Sequence, residues 1–478
     1  MDRGTSNPKN FLFRIIENFG SQAIQLVISI VLARLLVPEN YGVVAIASTL
    51  ITILTSIVQS SFNAPLVQKK GLTDVDLCSS FIMMFILASG LYVVLFLCAP
   101  LISVLYSMPE LTSVIRVLGI VLIIGSWNSI QLALIYRNTR FRESLIINLF
   151  TILVQGLVGI ALAYLGYGVW SLVFSQITAQ VMLAILYGLC NHWRPRLYFS
   201  RQSIRSIWKI GLPLFGAELL TIASTNINPM IIGLKYSNAD LGLYQKGHTI
   251  PTTIVNGIVT ACTTVYLPMM SRLQDEKQRL LEMLREGSRM ATYLIVPIAL
   301  GLCAISKEFV LLILGERWEQ AIPYMQLSCI ALAFYPLRIR LQAIKAIGEA
   351  KHALTTNAVH AISSCTLLFI SIYISLEAVT FSMILAELFF AGTSGMYLKR
   401  DLGYAWLDQI RDILPSYMMS AAMCALVMGV EYLMPTVSFL SLFTKIIVGI
   451  GTYVAMTFIF RPRALTTILI SFSGNCED

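Results

Sequence analysis

Charged side chains interrupt the long apolar stretches of this sequence at a few positions, and they are the first candidates for chemistry. They are Arg14, Glu17, Arg116, Glu218, Lys246, Glu387 and Lys445. A charged residue at the centre of a membrane span costs roughly 2.5–3.5 kcal/mol on insertion scales, so such a residue is by default a candidate for function. Arg14 and Glu17 lie three positions apart on one helix face and are close enough to pair. Glu218 could neutralise a cation or act as a coupling carboxylate, and Lys445 could snorkel towards lipid headgroups or hold a docking contact.

Uncharged polar side chains accompany these charges. Asn226 and Asn228 stand just before Pro229, and Gln245 and His248 follow shortly after the next predicted turn. Their amide and imidazole groups could face a polar ligand, or they could hold neighbouring helices together by hydrogen bonds. Both interpretations stay open at this point.

The elements that must position these residues are membrane-spanning helices. Of the 478 residues, 57% are hydrophobic and only 12% are charged, and the mean hydropathy is +0.76. A bilayer core about 30 Å thick needs roughly 20 apolar residues per helix, and about fourteen such runs occur between Phe11 and Phe460. These continuous runs are roughly twice as long as the alternating strands of a membrane β-barrel. The sequence therefore predicts an all-α polytopic membrane protein. We expect the charged segment 272–289 to extend the long span 239–270 as an amphipathic helix.

The distribution of lysine and arginine predicts the orientation. With the N-terminus in the cytoplasm and alternating spans, most of the 34 basic residues fall on the cytoplasmic side, as the positive-inside rule requires. Arg338 and Arg340 are among those assigned to cytoplasmic helix ends. This predicts a multi-pass protein of the inner (plasma) membrane with both termini in the cytoplasm. The net charge of +9 would face anionic inner-leaflet lipid, so nucleic acid is not needed as a partner.

A faint internal repeat divides the chain. The pentad 38–42 (PENYG) corresponds to the pentad 238–242 (NADLG), and each joins the first two spans of a six-span set. Because an even number of spans precedes the second set, both sets enter the membrane in the same direction. We therefore expect two six-helix bundles related by a pseudo-two-fold axis along the membrane normal, plus two C-terminal helices. The predicted bounds are 1–191 for the N-terminal bundle, 192–206 for a basic cytoplasmic linker, 207–400 for the C-terminal bundle, and 401–478 for the additional helices and tail.

Four stretches carry a family resemblance. Residues 33–42 (ARLLVPENYG) look like the ARxLxPExYG signature that ends the first span of polysaccharide flippases and exporters. Three further stretches match in order: Tyr136-Arg137-Asn138 through Phe141; Ile232-Gly233 followed by residues 239–244 (ADLGLY); and residues 314–318 (LGERW) with Ala321 and Pro323. The chain is similar to the Wzx-type, colanic-acid-exporter-like branch of the multidrug/oligosaccharidyl-lipid/polysaccharide flippase superfamily. One departure is Asn228, which stands where relatives commonly carry an acid, and this puts simple proton or sodium coupling at that position in doubt.

The resemblance implies a flippase that moves polyprenyl-pyrophosphate-linked oligosaccharide repeat units across the inner membrane by alternating access, in lipopolysaccharide or exopolysaccharide biosynthesis. A pyrophosphate needs a wet, cationic cavity to cross hydrocarbon. The expected substrate-binding residues are Arg14, Arg34, Arg116 and Lys246, with Arg116 and Lys246 clamping the pyrophosphate from opposite halves. Arg34 could equally anchor a helix end.

The remaining candidates take supporting roles under this resemblance. Asn226, Asn228, Gln245 and His248 would contact sugar hydroxyls, while Glu17 and Glu218 would serve coupling or charge pairing. Besides the lipid-linked oligosaccharide, the expected partners are membrane lipid and other polysaccharide-assembly proteins. Sugar identity and coupling ion do not follow from the sequence, because the cavity-facing side chains depend on helix rotation.

Two other function classes are alternatives for a polytopic membrane protein. A multidrug cation antiporter of the same superfamily should have an acidic cavity, but the in-span charges are four basic and three acidic. A membrane enzyme, such as a repeat-unit polymerase or glycosyltransferase, usually resembles proteins with large outer loops or an Asp-x-Asp nucleotide-sugar site, and we expect neither feature to be present here. The nine cysteines are scattered without metal-ligand spacing, and there is no GxxxxGK[ST] loop for ATP. The sequence predicts a protein that is not an enzyme and needs no metal or cofactor.

Overall fold

The computed structural model describes residues 8–69 and 71–460 of the chain. Side chains are described from residue 20 onward, except at positions 64, 68, 210, 212–225, 261, 264, 265, 268 and 350. Within these residues the secondary structure is helical, with no β-strand. The chain divides into two units, the first reaching Gln245 and the second beginning at Lys246.

The first unit contains nine helices and the start of a tenth among the described residues. They are α1 (Pro8–Leu35), α2 (Pro38–Ser60), α3 (Asn63–Gln68), α4 (Asp74–Leu105), α5 (Leu111–Leu118), α6 (Ile120–Arg137), α7 (Phe141–Tyr164), α8 (Val169–Cys190), α9 (Arg201–Lys235) and α10 (Asn238–Ser271), which crosses into the second unit.

The second unit continues from α10 with eight helices among the described residues. They are α11 (Lys277–Ala304), α12 (Ser306–Glu308), α13 (Ile322–Leu332), α14 (Ile339–Ala346), α15 (Ala350–Ser371), α16 (Leu376–Leu402), α17 (Trp406–Leu433) and α18 (Phe439–Phe460). A π-helical turn (Phe309–Leu314) and two 3-10 turns (Glu316–Ala321 and Tyr335–Arg338) connect α12, α13 and α14.

Membrane spans account for most of these helices. Eleven segments of the described residues are long and apolar enough to cross a bilayer, and they run from Pro38–Val67 to Phe439–Phe460. Helices α1, α9 and α10 are also long, but each includes residues whose side chains are not described. The prediction of an all-α polytopic membrane protein is confirmed, and the number fourteen stays a prediction.

The charged segment 272–289 differs from the expectation. Helix α10 ends at Ser271, a turn follows, and Lys277 begins the next helix. Leu280 and Leu284 are buried, so this first part of α11 has one face in a hydrophobic cluster. The expectation that the segment extends α10 is wrong, because the leucines at i and i+4 give it a core of its own.

The C-terminal helices pack within the second unit. Met419, Met423 and Val427 of α17 form a buried cluster with Tyr453 of α18 and Ala304 at the end of α11. In addition to this apolar packing, the Tyr453 hydroxyl donates a hydrogen bond to the backbone carbonyl of Tyr293 at 2.8 Å. Helices α17 and α18 are thus joined to α11 by both apolar and polar contacts.

Candidate functional site

The two pentads of the sequence repeat contact each other inside the first unit. A Cβ on Gly42 would overlap the backbone of Asn238, and a Cβ on Gly242 would overlap the backbone of Pro38. The last residue of each pentad therefore meets the first residue of the other, which is the reciprocal pattern that a local two-fold axis produces. Glycine is needed at both positions because no side chain fits where the backbones of α2 and α10 approach so closely.

The second half of α9 packs beside this contact. Gly233 lies against Ile46 of α2 and the ring of Tyr106, and the Tyr106 hydroxyl donates to the Met230 carbonyl at 3.1 Å. The buried Asn228 amide nitrogen lies 3.4 Å from the Tyr244 hydroxyl. The side-chain oxygen of Asn228 has no hydrogen-bond partner among the described residues. The amide that replaces the expected acid therefore joins α9 to α10.

Arg116 and Arg34, two of the predicted substrate-binding residues, belong to the first unit. Arg116 is half-buried, its Nε lies 3.4 Å from the Phe96 carbonyl oxygen, and its guanidinium carbon lies 4.3 Å from the centre of the Phe96 ring. Arg34 is exposed in the last turn of α1. The structure thus gives Arg116 a cation–π partner on α4.

The part of α10 in the second unit holds two further candidates. The Lys246 side chain is buried. His248 is half-buried, with Nδ1 3.3 Å from the Ser328 hydroxyl on α13. Gly247, between them, lies against Tyr324 and Met325 of the same helix. Since Arg116 lies in one unit and Lys246 in the other, the predicted clamp stays a prediction.

Five other candidates complete the predicted set. Asn226 and Gln245 are half-buried in α9 and α10. The side chains of Arg14, Glu17 and Glu218 lie outside the described residues, although the helices α1 and α9 that contain them are described. Their roles in substrate binding, coupling or sugar contact stay predictions.

An ionic cluster in the second unit, centred on the buried carboxylate of Glu387, was not predicted as a group. Arg338 Nη2 lies 2.6 Å from Glu387 Oε1, and His360 Nε2 lies 3.3 Å from the same oxygen. The guanidinium carbon of Arg338 also lies 4.0 Å from the centre of the Tyr335 ring. His360 and Glu387 occupy the middle turns of α15 and α16. The cluster therefore joins three helical segments of the second unit around the Glu387 carboxylate.

One sequence signal could have identified this cluster. Arg338 and Arg340 lie inside the apolar segment Glu316–Ala346, several residues before its end. Arg340 is buried, and its guanidinium donates to the Ala391 carbonyl at 3.3 Å. Both arginines have partners within the second unit, and their assignment to cytoplasmic helix ends stays a prediction.

Lys445 has a buried ionic partner. Its side chain is 0% exposed, and Nζ lies 2.5 Å from the carboxylate of Glu308, which is 3% exposed. Glu431 lies 3.7 Å from the same ammonium and also pairs with Lys307 at 2.8 Å. That hydrogen bond to Glu431 raises the pKa of Lys307. The docking interpretation of Lys445 is confirmed and the lipid-facing alternative is wrong.

The chain contains an Asp-x-Asp tripeptide, Asp74-Val75-Asp76, so the expectation that this motif is absent is wrong. Asp76 and Thr73 form a reciprocal capping box at the start of α4. The Asp76 carboxylate is also bound by Lys69 at 2.8 Å. The tripeptide therefore forms the first turn of α4, and the carboxylate of Asp76 is occupied by its ion pair with Lys69. In the part of the chain that is described, no group of three His, Cys, Asp or Glu residues could hold a metal ion.

Comparisons with known proteins bear on the function of these elements. The sequence model of the family described as "Polysaccharide biosynthesis protein" matches residues 31–323. The succinoglycan biosynthesis transport protein ExoT of Rhizobium meliloti (strain 1021) is 23% identical over 344 residues, which cover 71% of this chain and 69% of ExoT. The lipopolysaccharide biosynthesis protein WzxC of Escherichia coli (strain K12) is 21% identical over 305 residues, which cover 63% of this chain and 61% of WzxC.

Among solved structures, the fold is similar to that of the lipid II flippase MurJ in an inward closed conformation. The TM-score is 0.79 at 15% sequence identity, and the match covers 94% of this chain and 98% of the MurJ chain. At this identity the match shows a shared fold. The shared fold extends over nearly the whole length of both chains.

Proposed function

The chain belongs to the polysaccharide biosynthesis protein family, and on this premise we propose that it flips lipid-linked oligosaccharide repeat units across the cytoplasmic membrane. The family match over residues 31–323 carries the proposal. The name of ExoT, a succinoglycan biosynthesis transport protein, supports a transport role. The proposed substrate is a polyprenyl-pyrophosphate carrier with its oligosaccharide, for export into a cell-surface polysaccharide.

The mechanism that fits this substrate is alternating access. The headgroup enters a wet cavity with cationic side chains, the polyprenyl tail stays in the bilayer, and the two bundles rock to reopen on the other side. Arg14, Arg34, Arg116 and Lys246 are the proposed phosphate-binding residues. The proposed location is the inner membrane with both termini in the cytoplasm, because this orientation places most basic residues on the cytoplasmic side.

Transport without covalent chemistry is the proposed activity. Relatives in the comparison are named for biosynthesis and transport, and the Asp-x-Asp tripeptide caps α4. No ATP-binding loop is present in the sequence. The energy for net export would then come from an ion gradient, the membrane potential or downstream consumption of the product.

A reconstitution assay tests the proposal. Liposomes would contain the protein and a fluorescent polyprenyl-pyrophosphate oligosaccharide, and a membrane-impermeant quencher would report how much label becomes accessible. We expect the native protein to equilibrate the label and the double variant Arg116→Ala with Lys246→Ala to slow it strongly. The control pair Arg279→Ala with Lys399→Ala removes the same charge from exposed positions and should keep native activity.

The outcomes separate function from site. If labelled lipids with several different oligosaccharide headgroups do not move and the protein instead takes up small cations, the chain is a multidrug antiporter and not a flippase. If the labelled lipid still moves in the double variant Arg116→Ala with Lys246→Ala, the proposed function stands and the proposed clamp is wrong. Equal loss in the control pair would assign the effect to overall charge.

A further inference from the structure

A groove in the first unit combines three cations with an apolar wall. It encloses about 540 Å³ between α4 and the beginning of α9. Its cations are Arg201, Arg205 and Lys209, and its apolar wall includes Met83, Phe199 and Trp208. We call this set the basic groove. None of these six residues belongs to the predicted phosphate-binding set.

The cations form one stripe along α9. Their spacing of four residues places them on one helix face, and at about 1.5 Å per residue the stripe is roughly 12 Å long. All three side chains are exposed. Like charges spaced by four residues on one helix face destabilise the helix. A bound anion would offset this repulsion.

The carboxylate of Asp76, in the first turn of α4, does not balance the stripe. Asp76 is bound by Lys69 at 2.8 Å and caps α4 through Thr73. Among the described residues, no salt bridge involves any of the three groove cations. The stripe therefore presents three positive charges to whatever enters the groove.

The groove lies at the beginning of the apolar segment Asp74–Leu105 and of α9. The first turns of α4 and α9 lie together, because the Ser200 amide donates to the Ser79 hydroxyl at 2.9 Å and Lys69 donates to Ser206 at 2.9 Å. Phe199 is 52% exposed and Trp208 38% exposed. Exposed aromatic side chains at helix ends are typical of the zone between headgroups and hydrocarbon.

We propose that the basic groove binds the diphosphate of a polyprenyl-linked lipid, with the start of the chain against Met83 and Trp208. A diphosphate carries more negative charge than the phosphodiester of a bilayer lipid and reaches more of the three-cation stripe, so charge complementarity favours it. The inference rests on the proposed function and deepens it. The groove is a loading site, separate from the four residues proposed to bind the headgroup during translocation.

The test is a binding measurement that does not depend on transport. The full-length protein would be placed in nanodiscs of neutral phospholipid and titrated with radiolabelled polyprenyl diphosphate. For the variant Arg201→Gln, Arg205→Gln, Lys209→Gln we expect affinity to fall at least about tenfold. The matched control Arg272→Gln, Lys277→Gln, Arg279→Gln removes three exposed charges from the turn before α11 and its first residues and should change affinity less than about twofold.

Two further arms identify the ligand. Inorganic pyrophosphate should bind the native protein at least about tenfold more weakly than polyprenyl diphosphate, because it lacks the chain. Nanodiscs with added phosphatidylglycerol should leave most polyprenyl diphosphate bound. If phosphatidylglycerol displaces it at equal concentration, the groove is an ordinary anionic-lipid site and the proposal is overturned.

The remaining outcomes also decide. Equal weakening by the groove and control triples would show a general charge effect and overturn the site. If the triple groove variant fails to fold, the three single glutamine variants are measured in its place. Each is expected to weaken binding about threefold. Unchanged affinity in all three would overturn the proposal. The liposome assay distinguishes the two proposals. If the native protein flips lipid but its binding of polyprenyl diphosphate does not depend on the groove cations, the proposed function stands and the proposed groove site is wrong.

Discussion

Replacing Lys445 by methionine should destabilise the second unit strongly. The Lys445 side chain is 0% exposed, and its ammonium lies 2.5 Å from Glu308, which is 3% exposed. Methionine fills a similar volume but removes the charge, so Glu308 would remain buried without its main partner. Removing one member of a buried ion pair costs about 3–5 kcal/mol. We expect Lys445→Met to lower the free energy of unfolding by that amount.

The opposite substitution should cost less. In Glu308→Gln the ammonium of Lys445 keeps Glu431 at 3.7 Å, and that carboxylate is 40% exposed. The glutamine oxygen can also accept a hydrogen bond from Lys445. We expect a loss of about 1–3 kcal/mol. The double variant should lose less than the sum of the single losses, with a coupling energy of about 1 kcal/mol or more.

The measurement is equilibrium unfolding of the purified protein in mixed detergent micelles, with increasing mole fraction of sodium dodecyl sulfate and tryptophan fluorescence as the signal. Lys307→Met is the matched control, because Lys307 is 45% exposed and its partner Glu431 is 40% exposed. An exposed pair contributes about 0–1 kcal/mol. The reasoning would be refuted if Lys445→Met cost no more than Lys307→Met, or if the two single losses were additive.

Three shorter predictions use the same unfolding measurement. Gly42→Ala and Gly242→Ala should each cost about 1–3 kcal/mol by overpacking, and together less than the sum because one separation of the helices relieves both overlaps; strict additivity would contradict the reciprocal contact. Glu387→Gln should cost about 1–3 kcal/mol, because Arg338, whose side chain is 34% exposed, loses its charged acceptor but keeps partial access to solvent; an unchanged midpoint would place the pair in water. Asp412→Asn weakens an acceptor shared by two arginines and one tyrosine and should cost about 1–3 kcal/mol; no loss would mean that the arginines are hydrated.

The sequence predicted those features that depend on local pattern. Continuous apolar runs predicted helices, because in a bilayer a helix satisfies its backbone polar groups within one continuous segment. The pentads 38–42 and 238–242 identified two helix starts that the structure brings into contact. The two glycines can be read from the sequence. Their close contact could not be predicted, because it depends on how α2 and α10 pack.

Partners of buried charges could not be predicted, because they depend on helix rotation and on contacts between residues far apart in the chain. Glu387 appeared in the sequence as an isolated charge, yet Arg338 and His360 share one of its oxygens. Lys445 was left with two possible environments, and Glu308 lies 137 residues before it. An apolar stretch indicates that a charge is costly, whereas only the packed structure shows which residue compensates that cost.

This distinction changes how an in-span charge should be weighed as a functional candidate. Glu387 and Lys445 are themselves buried and already have ionic partners, so an anion or cation that used either one would first have to break an ion pair. Among the described residues, the Arg116 guanidinium contacts an aromatic ring and a carbonyl oxygen, which a phosphate could displace at smaller cost. Within the described residues, Arg116 is therefore a stronger candidate for substrate than Glu387 or Lys445. Its replacement should affect transport more than stability, and the two ion pairs should show the reverse.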